Sequence, residues 1–184
     1  MRRMFFNGMT LLMLLSLLLS PASALMTGMG VDELTRQSDR VVRGIVEKVE
    51  SYWNEDKSAI LTRASIIVHE HIKTKGKQHD AAPFRVFVVH EGGEADGIVL
   101  RVSDGVEFTE GEEVLIFLRE TGEGGTLSLP SHRVVGKAQG KYSIADDGVA
   151  RKGGFSLTTG DEKVESVIDA HRLTEKIKEF SRDR

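Results

Sequence analysis

No cysteine occurs anywhere in these 184 residues. That excludes disulfides, thiolate metal sites, a catalytic thiol and thiol redox chemistry. A domain of this length does not need disulfides if its hydrophobic core is adequate. Asparagine is confined to Asn7 and Asn54, and neither begins an N-x-S/T sequon. Proline is scarce, at Pro21, Pro83 and Pro130, and the aromatic residues are 8 Phe, 2 Tyr and 1 Trp. Charge of one sign never accumulates. The 25 Lys and Arg face 28 Asp and Glu, and they alternate, as in Glu47, Lys48 and Glu50 or in Lys176, Lys178 and Glu179. Without a basic block, the footprint of a nucleic-acid binder or of polybasic attachment to anionic lipid is missing.

The common catalytic signatures are absent as well. Gly76-Lys77, Gly136-Lys137 and Gly140-Lys141 each lack the Gly five positions upstream that a phosphate-binding loop needs. Gly28-x-Gly30 has Glu33 where a dinucleotide fingerprint has its third Gly. Gly154-Phe155-Ser156 continues with Leu157-Thr158, so no G-x-S-x-G nucleophile elbow forms.

What is present begins with an address. Arg2 and Arg3 precede an apolar run from Met9 to Leu19, followed by Ser20, Pro21 and Ala22-Ser23-Ala24. This is the three-part layout of a secretory signal peptide with an A-x-A cleavage site, and the run is short for a membrane span. Residues 1–24 are therefore expected to be removed, leaving a single exported domain over 25–184, periplasmic or extracellular. No Cys follows the apolar core, so no lipid anchor is expected, and no stable membrane anchor remains after cleavage. The leader carries only Arg2 and Arg3 as charges, so the mature chain is more acidic than the full sequence, whose net charge is −3.

The rest of the chain reads as strands. Asp32 and Glu33 mark a short helix over Val31 to Ser38. Asp39 to Trp53 follows as a long first strand, with Gly44 expected at a bulge or bend. In Ser58 to Ile72, Ile60, Ala64, Ile66, Val68 and Ile72 share one parity, as a half-buried strand requires. Val86–Val89, Ile98–Val102 and Val114–Leu118 are apolar runs separated by Gly-, Asp- and Glu-rich turns. They predict three consecutive strands of one antiparallel sheet. Short strands are expected at Thr126 to Leu129, His132 to Val135, Lys141 to Ile144 and Gly148 to Arg151. Between Asp161 and Phe180, Val164, Val167, Ile168, His171, Ile177 and Phe180 lie near one helical stripe. Thr174 is a possible cap of a second short helix there, so one helix or two remain open.

Several motifs carry a resemblance over about Ser38 to Ile144. They are Ser38-Asp39-x-Val41-Val42-x-Gly44-x-Val46, the turn Gly92-Gly93, Phe108-x-x-Gly111-Glu112-Glu113-x-Leu115-x-Phe117-Leu118, and Val134-Val135-Gly136-x-x-Gln139-Gly140-Lys141-Tyr142. In this layout the chain resembles a family of exported prokaryotic proteins without assigned activity. More distantly it is similar to the netrin-like modules that include the tissue inhibitors of metalloproteinases. The resemblance implies a mainly β fold: an OB-like closed antiparallel β-barrel with a short N-terminal helix and a C-terminal helix. Those inhibitors chelate the protease zinc through an N-terminal Cys and carry disulfides; this chain has neither. The resemblance therefore implies fold and not activity.

Candidate site residues were weighed against structural roles. His69-x-His71 puts two imidazoles on one side of a strand, where a divalent metal would find them, with His90 or His79 as a third ligand. The alternative is a solvated strand face. Glu91, Glu94 and Asp96 around Gly92-Gly93 suit a weak cation site or solvated turns, and Asp146-Asp147-Gly148 suits a hairpin turn. Tyr52-Trp53 is a possible exposed aromatic pair, or a cover for one end of the sheet. Gln139 and Lys141 present a possible binding rim, or pure turn geometry. The expectation is an exported binding module for an extracytoplasmic protein partner, without cofactor or catalytic residues. The alternative is a metal-binding protein or metal-dependent enzyme using His69 and His71.

Overall fold

The computed structural model describes residues 27–75, 84–121, 131–157 and 164–182. The expected leader over residues 1–24, His79 and the expected strand at Thr126 to Leu129 lie outside the described residues. The elements are α1 (Val31–Gln37), β1 (Arg40–Trp53), β2 (Ile60–Thr74), β3 (Phe84–Glu91), β4 (Gly93–Ala95), β5 (Ile98–Leu100), β6 (Glu113–Thr121), β7 (Ser131–Val134), a 3-10 turn (Lys137–Gly140), β8 (Lys141–Ile144), β9 (Val149–Arg151), β10 (Val167–Asp169) and α2 (Ala170–Arg182). Among the described residues the fold is mainly β, with an eight-stranded sheet in the order β1-β2-β3-β7-β6-β8-β9-β10 and two helices.

β6 explains how the sheet is organised. Its apolar run Val114–Leu118 is fully buried because its two faces serve two cores. Val114, Ile116 and Leu118 meet Val42, Val46, Ile66, Val68, Val86 and Val88 from β1, β2 and β3. Leu115 and Phe117 face the other way, toward Val31 and Leu34 of α1 and Leu173 and Ile177 of α2. A strand buried on both faces reads as a continuous apolar run rather than as alternation. One edge of β6 pairs with β1, from Arg40↔Leu118 to Ile45↔Glu113. The other is shared by β8 (Glu113–Ile116) and β7 (Leu118–Thr121). The change of partner is made by Gly136, at φ +69, and by Gly140, where an added Cβ would stand 1.9 Å from the Val135 carbonyl oxygen. Only Gly fits such an approach.

The long β1–β2 pair bends through irregular register, with shifts at Val41/Val42, Arg43/Gly44 and Val46/Lys48. Gly44 lies at one of them, and a Cβ there would sit 2.4 Å from the Ile67 carbonyl oxygen. The bend expected at Gly44 is present.

Two expectations are corrected. The three apolar runs between Val86 and Leu118 do not make consecutive strands of one sheet. β3 and β6 belong to the main sheet but are separated by β7, which pairs parallel with β3 at Phe87↔Ser131 and Val88↔His132. The middle run instead forms a separate two-stranded ribbon, β4–β5, turned by Asp96 (φ 52) and Gly97 (φ 75). The described part of the tail, from Val164 on, is not helical before Ala170. Val167–Asp169 pairs with β9, and α2 begins only at Ala170. The Asp169 carboxylate accepts the Arg172 N–H at 2.8 Å, as an N-cap does, fixing the start. Val164 and Val167 therefore leave the helical stripe. α2 is one helix: the Thr174 hydroxyl donates to the Ala170 carbonyl one turn back, inside it.

Candidate functional site

The histidines are not brought together. His69 falls where the β1–β2 register skips a residue, Gly44 pairing with Val68 and Arg43 with Glu70. This bulge leaves the ring exposed, with Nε2 3.2 Å from Glu113 Oε1, an oxygen that also accepts Arg43 Nε at 2.9 Å. His71 stacks flat on Phe84, ring centroids 4.3 Å apart and planes 5° from parallel. His90 pairs opposite Thr62. Seven residues of β2 separate Thr62 from His69, roughly 23 Å at 3.3 Å per residue. His90 is thus no third ligand for that pair. Its Nδ1 contacts the Glu91 carbonyl oxygen, its ring lies 5.9 Å from Phe108, and burial lowers its pKa. Among the described residues, no group of three or more His, Asp or Glu is placed to hold a metal ion.

The carboxylates around Gly92-Gly93 resolve into turn residues. Glu91 and Glu94 are exposed, and Asp96 occupies the positive-φ corner of the β4–β5 ribbon. Asp146-Asp147-Gly148 is also a turn, with Gly148 at φ +73. The Arg151 guanidinium bonds both Asp147 oxygens and holds that carboxyl down at about 2.

Gln139 and Lys141, the expected rim, are both engaged in bonds within the chain. Gln139 is 1 % exposed. Its Oε1 accepts the Met29 N–H at 2.7 Å and its Nε2 donates to the Thr27 carbonyl at 3.0 Å. It ties the segment before α1 to the 3-10 turn. Lys141 donates to the Glu107 carbonyl and to Glu112, with its ammonium 5.1 Å from the Phe108 ring centre. Both side chains are structural. Tyr52 is 37 % exposed and Trp53 is half-buried. Neighbours on a strand point to opposite faces, so the two do not form one aromatic patch.

Two features stand out that the sequence reading did not single out. The first is the β4–β5 ribbon, where Ile98, Val99 and Leu100 are 54 %, 56 % and 38 % exposed in succession. The ribbon is held at its base. Ser51 and Thr62 share a 2.8 Å hydroxyl bond, and Thr62 Oγ1 donates to the Gly92 carbonyl at 2.6 Å. A Cβ on Gly93 would overlap both hydroxyls. The apolar run was visible in the sequence; its exposure depends on pairing that no local pattern encodes.

No protein-family model matches the chain, and no curated protein sequence matches it.

The second feature is an open cleft of about 330 Å³ lined by Lys152, Gly153, Phe155, Leu157, Val164 and Ser166. The Lys152 Nζ is shielded from solvent, makes no hydrogen bond and lies 4.6 Å from the Tyr142 ring centre. Burial drives this amine down to about 7, against a smaller opposing pull from Glu165. Tyr142 is itself fully buried, donates its phenol proton to the Glu165 carbonyl at 2.9 Å, and titrates far above its ordinary range because of that burial. In sequence, Arg151-Lys152 looks like two ordinary surface cations. The backbone bond from Lys152 N–H to the Ser166 carbonyl carries the lysine under the segment that precedes β10.

Proposed function

We propose that this chain is an exported, non-catalytic binding module on an OB-like closed β-barrel, which holds an extracytoplasmic protein through the β4–β5 ribbon. The barrel reading draws on the pairings β1–β2, β2–β3, β3–β7, β7–β6 and β6–β1, which return to their starting strand. One parallel pair in such a circuit suits an OB-like topology better than a wholly antiparallel barrel. Export draws on the charged, apolar and A-x-A segments of residues 1–24.

The observation that carries the binding reading is the exposure of Ile98, Val99 and Leu100 outside the main sheet. A two-stranded ribbon gains little stability by itself, and successive exposed apolar side chains on an open edge favour pairing with another chain. Apolar anchors that sit in water until a partner covers them are what interfaces use. Supporting hydroxyls at Ser51 and Thr62 hold the ribbon in place before any partner arrives, which limits the ordering cost of association.

The test places a photo-cross-linking residue at Val99 in protein exported from its native host. One discrete adduct is expected in envelope or culture fractions. Ile98→Ser with Leu100→Ser should abolish it while leaving the melting temperature within 2–3 °C or so, since surface substitutions cost little. No discrete adduct, or an adduct indifferent to the double substitution, overturns the reading.

A further inference from the structure

We infer that the cleft between the segment that follows β9 and the segment that precedes β10 is a binding site for a small apolar carboxylate, whose anionic head pairs with the Lys152 amine and whose hydrocarbon body lies against Phe155, Leu157 and Val164. The site is separate from the β4–β5 ribbon and does not depend on it.

The argument starts from an unmet donor. A buried amine without a hydrogen-bond partner is destabilising, and native interiors seldom retain one without a reason. The Lys152 Nζ has only the face of Tyr142 beneath it. An ordinary structural lysine would have a carboxylate within reach. Glu165 is the acid nearest in the fold, but both of its oxygens are taken by the Lys176 ammonium of α2, at 2.6 and 2.7 Å. Tyr142 on β8 donates its phenol proton to the Glu165 carbonyl, and the Lys152 amine lies over its ring face without a hydrogen bond to the phenol oxygen. Arg151, the neighbour on β9, is occupied by Asp147.

The cleft beside this amine has the size of a small-molecule site, at the lower end of the range of roughly 300–1,000 Å³. Phe155, Leu157 and Val164 line it together with Lys152, Gly153 and Ser166. The four-carbon lysine stem is flexible, so the amine can swing from the ring face toward the cleft. A carboxylate there completes the hydrogen bonding, and an apolar tail replaces water along Phe155, Leu157 and Val164. A neutral alcohol of the same length would bury the same tail but leave the charge pairing unmade.

Proton linkage gives the site a signature. The free amine sits at about 7 because it is buried without a partner. A bound carboxylate favours the ammonium, so binding takes up a proton whenever the free amine is neutral. Affinity for an anion should hold steady below pH 7 and fall tenfold per unit above it, about 100-fold between pH 6 and pH 9.

The experiment is isothermal titration calorimetry of the mature protein with octanoate at pH 6, 7, 8 and 9, with 1-octanol as the neutral probe. The expected result is saturable octanoate binding that weakens above pH 7, with proton uptake visible as buffer-dependent heat. Octanol should bind at least tenfold more weakly at pH 6. Lys152→Met keeps the stem and removes the charge, and should lose the pH dependence and at least tenfold in octanoate affinity. Absence of saturable octanoate binding, equal binding by octanol, or unchanged binding by the Met variant overturns the inference. None of these results bears on the cross-linking at Val99, so the two readings stand or fall separately.

Discussion

At the scale of single residues, Lys152 is the costliest side chain in the described structure. Its amine is buried, without a hydrogen-bond partner, and pushed down to about 7. Below pH 7 the group is charged in both the folded and the unfolded chain, so the full cost of burying the charge falls on the folded state. Between pH 7 and about 10.4, the ordinary lysine value, the unfolded chain still holds the proton that the folded chain has released, and that cost fades. Lys152→Met should therefore stabilise the protein at pH 6 by roughly 1–3 kcal/mol, with the gain vanishing near pH 10. Urea denaturation at several pH values measures this; a gain that is the same at pH 6 and pH 10 contradicts it. Nothing at residue level in the sequence distinguished Lys152 from exposed lysines such as Lys57 or Lys137. Its burial comes from a strand pairing with residues 15 or so positions onward, a contact that charge patterning cannot register.

At the scale of elements, the β4–β5 ribbon depends on one position. Gly93 has φ +122, and a Cβ there would stand 2.2 Å from Ser51 Oγ and 2.3 Å from Thr62 Oγ1. Gly93→Ala would both strain the backbone and displace the hydroxyl pair that holds Gly92, at an expected cost of about 1–3 kcal/mol. Gly97, at the open ribbon turn, has φ +75 with nothing within 4 Å. Gly97→Asn should cost well under 1 kcal/mol or so, because Asn tolerates that conformation. Denaturation midpoints that fail to separate the two variants would remove Gly93 as the anchor. Elements with strong local periodicity were legible in the sequence: β2 from the parity of Ile60, Ala64, Ile66 and Val68, and β6 from its apolar run. The bend at Gly44 was legible too, because a Gly inside a strand has few other uses. Partner choice was not. Ile98–Leu100 looks as apolar as Val86–Val89, and only the pairing of β3 with β2 and β7 brings one run and not the other into the sheet. The start of α2 was misplaced for a similar reason. Val164, Val167 and Ile168 match a helical stripe by spacing, but pairing with β9 claims Val167–Asp169 for a strand. Of the proposed site residues, His69, His71 and His90 satisfied a spacing rule, while the bulge and the length of β2 set their actual placement.

At the scale of the whole molecule, β7 joins β3 to β6, and it carries a histidine at that seam. His132 is 4 % exposed and stands opposite Val88 of β3 and Glu120 of β6. Burial lowers its pKa, with Arg40 adding to the effect and Asp39 and Glu120 opposing it. His90, at the far end of β3, is lowered by burial as well. A histidine held neutral in the folded chain binds its proton later than the unfolded chain does. As pH falls below the ordinary value near 6.5, the unfolded state takes up protons first, and stability declines by up to about 1.4 kcal/mol per pH unit for each such group. Lys152 produces a second rise in stability above pH 7, by the same linkage. The full profile should thus climb from pH 5 to about 6.5 and again from pH 7 toward 10, with two separable origins. His132→Leu should reduce the slope of the lower segment to the share that His90 supplies, and Lys152→Met should flatten the upper segment alone. Because β7 joins β3 to β6, hydrogen exchange at pH 5 should rise first in Ser131–Val134 and in the β3 amides opposite them. A folded chain whose stability is flat from pH 6.5 to 5, or whose β7 amides stay as protected as those of β6, would show that the histidine seam does not control acid opening.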